Sequence, residues 1–212
     1  MRRLPVYILV DTSGSMMGEP IEQVKTGMQM LIAGLRQDPH ALETVCVSVV
    51  EFNDGATQSV PMTDLVSFNP PNLAASGRTS LGKALSLVVK RAAVEVKKSS
   101  KEQQGDWKPM VFLMTDGVPT DDWNKGLQEF QEGSWGVTIG CAVDTADTSV
   151  LKQICGKNVL SLSTSDPKSI SSFFKWVTAS IQAAHKSINL EKKEVDGITE
   201  LPPPPAEITI VL

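Results

Sequence analysis

Val6-Tyr7-Ile8-Leu9-Val10-Asp11-Thr12-Ser13-Gly14-Ser15 is the stretch that decides the fold. Five apolar, strand-favouring residues run straight into an aspartate, and two serine hydroxyls follow at alternate positions with a glycine between them. A buried strand that ends on Asp-x-Ser-x-Ser delivers three small oxygen ligands into one tight turn. Oxygen donors at that density suit a hard divalent cation such as Mg2+, which takes octahedral oxygens at roughly 2.0–2.1 Å and keeps some water. Asp11, Ser13 and Ser15 serve equally to close a turn and cap the helix behind it. The rest of the chain separates the two readings.

Working outward, Gly18-Glu19-Pro20 opens a helix whose Ile21, Val24, Met28, Leu31, Ile32 and Leu35 recur on one face, and Asp38-Pro39 is expected to stop it. Val45 to Phe52 reads as a strand covered on both faces. Asn53-Asp54-Gly55 is a hairpin turn into the polar, proline-containing run Ala56 to Met62, an antiparallel edge strand. Ser80 opens a long helix carrying Leu81, Ala84, Leu85, Val88, Val89, Ala92 and Val96 towards the core. A polar segment, Ser99 to Trp107, precedes the strand Met110 to Met114, which ends in Thr115-Asp116-Gly117. Asp121 or Asp122 is expected to cap a helix from about Trp123 to Gln131, with a further buried strand from Trp135 to Val143.

A short helix around Ser149 to Ile154, a strand at Val159 to Leu162 and a helix capped by Asp166-Pro167, with Ile170, Phe173, Phe174, Val177 and Ile181 on one stripe, complete the pattern. Alternating strands and helices predict an α/β fold. The expected architecture is a doubly wound, mostly parallel central sheet of about six strands with one antiparallel edge strand, flanked by helices on both faces. Residues 1–186 form this domain, and residues 187–212 a C-terminal extension with a polyproline rod at Pro202 to Pro205 and an apolar end, Ile208 to Leu212. The extension is expected to fold back loosely on the domain, the alternative being a strand added to a sheet edge, its own or a partner's.

Composition narrows the function. The chain has 212 residues, 41% hydrophobic and 21% charged, with a net charge of −4. No global basic field is available for nucleic acid or an anionic membrane, and the pairs Lys97-Lys98 and Lys192-Lys193 read as solvated faces. Cys46, Cys141 and Cys155 are odd in number and form no Cys-x-x-Cys, which favours a reducing compartment. Met1-Arg2-Arg3 mimics a signal peptide, but the apolar run behind it is too short and meets Asp11 at once. No stretch approaches the ~20 apolar residues of a membrane helix, and the expected location is cytoplasmic.

In an open parallel sheet, ligands sit beyond the carboxyl ends of the strands. Asp11 and Asp116 each end a strand, and Thr79 stands just before a helix on a loop that opens at the same edge. Two carboxylates and three hydroxyls thus converge from three distant segments. Paired carboxylates repel each other, and a divalent cation removes that cost, so the convergence favours metal over cap.

Asp11-x-Ser13-x-Ser15, Thr79 within Gly-Arg-Thr-Ser, and Thr115-Asp116-Gly117 resemble the metal-ion-dependent adhesion site of von Willebrand factor A domains, over about residues 4 to 186. The opening Arg-Arg-Leu-Pro-Val-Tyr, Gly-Glu-Pro and Arg-Gln-Asp-Pro also resemble TerY-type proteins of bacterial tellurium-resistance clusters, without the zinc-binding segment of their longer relatives. The resemblance implies a Rossmann-like fold and a metal held by Ser13, Ser15 and Thr79, with Asp11 and Asp116 acting directly or through water. The metal it implies is Mg2+, with Mn2+ or Ca2+ as alternatives. One coordination position is left for a Glu or Asp carboxylate of a protein partner, among which other tellurium-resistance proteins are candidates. Asn53, Asp54 and Asp121 lie near the same edge, as turn and cap residues first and as shapers of a partner surface second.

Two enzyme readings compete. Gly77 to Ala84 has the spacing of a phosphate-binding P-loop, but Ala84 stands where its magnesium-binding hydroxyl belongs and no apolar strand precedes Gly77. A phosphohydrolase using Asp11 as nucleophile would need a second acid two residues on, where Ser13 stands. His40 and His185 match no base or nucleophile pattern, so no enzymatic activity is expected. A structural domain with a non-functional metal site is the remaining alternative.

Overall fold

The computed structural model describes residues 2–100, 104–144, 146–163, 168–191 and 198–211, with side chains described outside 185–191. The expected helix cap Asp166-Pro167, the pair Lys192-Lys193, the His185 side chain and Leu212 lie outside the described residues.

β1 (Leu4–Asp11) is buried along its whole length. It pairs in parallel with β2 (Val45–Phe52) on one side and β4 (Met110–Thr115) on the other. Its alternate side chains feed two cores. Val6, Ile8 and Val10 face α1 (Glu19–Arg36) and α6 (Ser169–Glu191), while Tyr7 and Leu9 face the layer built by α3 (Leu81–Glu95), α4 (Asn124–Gln131) and α5 (Thr148–Cys155). With β3 (Ala56–Asp64), β5 (Thr138–Val143), β6 (Val159–Leu162) and β7 (Thr209–Ile210), the strand order is β3-β2-β1-β4-β5-β6-β7. The chain winds outward from β1 to β3, then returns to β1's other side. The carboxyl ends of β1 and β4 therefore flank the topological switch point, where an open α/β sheet leaves a crevice.

The α1 stripe is buried as expected, and Gly27 on it leaves room for α6: a Cβ there would lie 2.1 Å from the Phe174 ring. Asp38-Pro39 does end α1, but it also starts a helix, α2 (Pro39–Thr44), because the Asp38 carboxylate accepts from His40 N at 3.0 Å and Ala41 N at 3.3 Å. β2 and β3 form the expected antiparallel pair, with register shifts on either side of Val49. The polar segment before β4 is tied to the N-terminus by an Arg3–Asp106 ion pair of 2.6 Å and by Arg2 stacked 3.4 Å over Trp107.

The C-terminal segment departs from the loose terminus expected of it. β7 pairs antiparallel with β6, Leu160 opposite Ile210 and Ser161 opposite Thr209, as a seventh strand. Ile198, Leu201 and Ile208 are buried, and Trp176 Nε1 donates to Pro202 O at 2.7 Å. The cause is the exposed edge that β6 would otherwise present, with unpaired N–H and C=O groups. Cys46, Cys141 and Cys155 are free and buried; burial, with the Asp64 carboxylate beside it, pushes the Cys46 thiol up to about 12. Among the described residues no helix is long and apolar enough to cross a membrane.

Candidate metal centre

The first strand delivers Asp11 fully buried, with Ser13 also buried and Ser15 exposed. Ser13 N donates to Asp11 Oδ1 at 2.8 Å, turning the chain sharply after the strand. Ser13 Oγ and Ser15 Oγ lie 3.0 Å apart, and Ser15 Oγ donates to Asp116 Oδ1 at 2.7 Å. Four of the five expected site residues are thus joined in one polar chain across the β1 and β4 strand ends.

Thr79, the fifth, is carried on a loop held on three sides. Gly14 N donates to Gly77 O at 3.0 Å, Ser76 N to Thr12 O at 2.8 Å, and Ser80 N to Asn53 O at 2.8 Å. Thr79 N donates to Thr120 Oγ1 at 3.0 Å, and Thr120 N to Thr79 O at 2.9 Å, locking the loop to the one after β4. A Cβ on Gly117 would lie 3.3 Å from Thr79 Oγ1, which places that hydroxyl against the Thr115–Gly117 turn. Gly77 has φ +74°, and a Cβ there would sit 2.5 Å from the Asp54 carboxylate, so only glycine fits.

Asp54 and Asp121 are employed locally. Asp54 Oδ1 accepts from Arg78 N at 3.0 Å. Asp121 caps α3, not α4: its carboxylate accepts from Gly82 N at 3.1 Å and Lys83 N at 3.0 Å. Asp122 Oδ1, at 3.3 Å from Asn124 N, is the acid at the start of α4. The N–H groups on which a P-loop would seat a phosphate are therefore already bound to a carboxylate.

Two features of this edge escaped the sequence reading, the role of Thr115 and the presence of Asp144. Thr115 Oγ1 donates to Asp11 Oδ2 at 2.5 Å, so both Asp11 oxygens are engaged. The signal was its place before Asp116, with alternation turning it to the other side. Asp144 follows β5 with φ +53°, the one positive-φ non-glycine among the described residues. Its signal was another apolar strand ending on an aspartate.

Burial pushes the Asp11 carboxyl up; the bonds from Ser13 and Thr115 oppose this, and Asp116 adds repulsion. Burial likewise raises Asp116, against the Ser15 bond, with Asp144 adding to the rise. The donor set fits a hard dication: two carboxylates whose charge burial disfavours, two linked serine hydroxyls, and a buried Thr79 whose Oγ1 makes no hydrogen bond among the described residues. No group of three or more His, Cys, Asp or Glu able to hold a metal occurs among the described residues, so a metal here depends on hydroxyls.

Each raised carboxyl binds its proton more tightly in the fold than in the unfolded chain. The metal-free protein therefore has stability at low pH that is lost as pH rises from the ordinary carboxylate range through the raised values. A divalent metal held here would compete for the same oxygens, so any Tm increase it causes is expected to grow from about pH 4 to neutrality. An equal increase at both ends, by scanning calorimetry, would contradict it.

An open α/β sheet whose switch point carries Asp-x-Ser-x-Ser, a loop threonine and a second strand-end aspartate places the chain in a class of α/β domains with an oxygen-lined crevice at the sheet's carboxyl edge. Residues 6–176 match the sequence model of the von Willebrand factor type A domain, and the chain belongs to that family. Domains of this family mediate protein–protein interactions, often through a divalent metal. Among solved structures, the fold is similar to a von Willebrand factor type A protein from Catenulispora acidiphila (17% identity, 86% of this chain, 43% of that one, TM-score 0.63). It is also similar to proximal thread matrix protein 1 of the mussel byssus, solved with zinc in its metal-ion-dependent adhesion site (18% identity, 84% and 48%, TM-score 0.60). A third is the ArnB paralog VWA2 from Sulfolobus acidocaldarius (14% identity, 85% and 45%, TM-score 0.58). The chain thus spans less than half the length of these three proteins. Among curated proteins none matches the sequence.

Proposed function

We propose that the protein is a non-enzymatic, metal-dependent interaction module in which Asp11, Ser13, Ser15, Thr79 and Asp116 hold Mg2+ and a partner's Glu or Asp carboxylate completes the site. The carrying observation is the polar chain from Asp11 through Ser13 and Ser15 to Asp116, beside the Thr79 hydroxyl. A bound dication would supply Lewis acidity, and with the three hydroxyls as direct ligands and an acid acting through water it would keep net positive charge that attracts an anion. The protein's part is to orient the oxygens: Thr115 and Ser13 N hold Asp11 rigid, and the Gly77–Ser80 loop presents Thr79.

The same geometry disfavours the phosphohydrolase reading. Asp11 is fully buried, with both oxygens engaged, and so is a poor nucleophile. The TerY-type resemblance extends the proposal to a scaffold in a bacterial tellurium-resistance or stress-response assembly, in the cytoplasm, where the three cysteines stay reduced. These residues offer no chemistry for a tellurium oxyanion.

A pull-down from the source cell, run in Mg2+ and in chelator, tests the bridge. Partners are expected in Mg2+ alone, and are expected to vanish with Asp11→Ala or Asp116→Ala while circular dichroism shows the fold intact. Identical partners in both conditions would refute the bridge.

A further inference from the structure

Five large apolar side chains are exposed among the described residues, and two of them, Met17 at 64% and Val118 at 57%, are carried on the loops that follow β1 and β4. Met17 lies two residues beyond Ser15 and Val118 two beyond Asp116, and the 2.7 Å Ser15–Asp116 hydrogen bond holds those two loops together. Isolated exposed apolar residues are ordinary on a protein surface. Here two occur on the two loops that supply the site, each two residues beyond a site residue, and those loops are hydrogen-bonded to each other.

The charge of that edge limits what can approach. Beyond the two site acids it carries exposed Asp54, Asp122 and Asp144 together with Asp121. Against them stand Arg78, exposed beside Thr79, and Lys83, whose Nζ donates to Asp54 O at 2.8 Å. With acids outnumbering bases at this edge, each further charge of an acidic run adds repulsion, whereas a lone carboxylate has its one charge offset by the cation it ligates.

We infer that Met17 and Val118 are apolar shoulders for the partner, and that the segment they receive presents one Glu or Asp carboxylate between bulky apolar side chains. This rests on the metal-bridging reading above. The carboxylate sets the orientation, and burial of its apolar neighbours against Met17 and Val118 supplies affinity that a metal–carboxylate bond alone lacks.

Three blocked pentapeptides test this, each with a central glutamate in Mg2+: one flanked by leucines, one by serines and one by further glutamates. Binding is followed through the amide resonances of Gly14 and Gly117. The leucine-flanked peptide is expected to bind about fivefold more tightly than the other two, a preference lost in the double variant Met17→Ser, Val118→Ser. Mg2+ affinity of that variant, measured calorimetrically, should be unchanged, which shows fold and site intact. Equal binding of the three peptides, a preference for the acidic one, or a preference that survives the double variant overturns the inference and leaves metal bridging standing. If the protein binds Mg2+ but none of the peptides, the bridging reading falls too, and failure to bind Mg2+ removes the metal centre itself.

Discussion

Asp11→Asn is expected to abolish stabilisation by Mg2+ while leaving the metal-free fold as stable as the parent or more so. At about a hundredfold excess over Kd, a bound metal adds about 2.7 kcal/mol to stability, or about 5–10 °C in Tm for a chain of this size. The variant should lose all of it, because a neutral amide is a poor ligand and one oxygen is gone. Its hydrogen bonds survive: Oδ1 can keep Ser13 N, and Nδ2 can donate to Thr115 Oγ1, whose hydroxyl then turns to Gly117 O, now 3.4 Å away. Removing a buried charge that burial and Asp116 both disfavour offsets what is lost. Calorimetry with Mg2+ and with chelator decides it. A variant that still gains Tm from Mg2+ would show that Asp11 is not part of the metal centre.

The largest loss of stability is expected from Gly126→Ala. A Cβ at position 126 would lie 2.2 Å from Gly82 O, and one on Gly82 would lie 2.5 Å from Trp123 Cα, so the α3 and α4 backbones touch with no side chain to give way. Overpacking of this kind costs about 3 kcal/mol, well above the ~1 kcal/mol that alanine gains over glycine in a helix. The net loss should lower Tm by about 4–8 °C. Because Asp121 and Thr120 tie the loop before α4 to the start of α3, forcing the helices apart should also weaken Mg2+ binding. Gly55→Ala, with nothing within 4 Å of its Cβ, is the matched control and should stay within about 0.5 kcal/mol of the parent. Equal melting of the two variants would show that the helices separate freely.

Much of this was legible in the residues because burial writes itself into local pattern. Val6 to Val10 and Met110 to Met114 are continuous apolar runs and Val45 to Phe52 is nearly so, as strands covered on both faces are expected to be, and all three are strands. The motif acids stand where those strands stop, so topology alone carried Asp11 and Asp116 to one edge. Three features were not settled by local pattern. The apolar end of the tail could lie loosely on the domain or add a strand to an edge, and it completes the sheet because only the folded domain has an open β6 edge to receive it. Asp121 caps a helix 39 residues earlier in the chain, and periodicity carries no information about such a partner. Thr115 binds Asp11 across 104 residues for the same reason.

By itself, then, the sequence determined the alternation of strands and helices, the strand ends that carry the acids, and the oxygen-only donor set, since each follows from local pattern and side-chain chemistry. Only the tertiary structure decided which groups meet: the serine link between the two acids, the glycine contacts that let Thr79 and the helices approach, and the bond from Thr115 to Asp11. Those depend on contacts between residues far apart in the chain, whose geometry exists once the sheet has brought its loops to one edge.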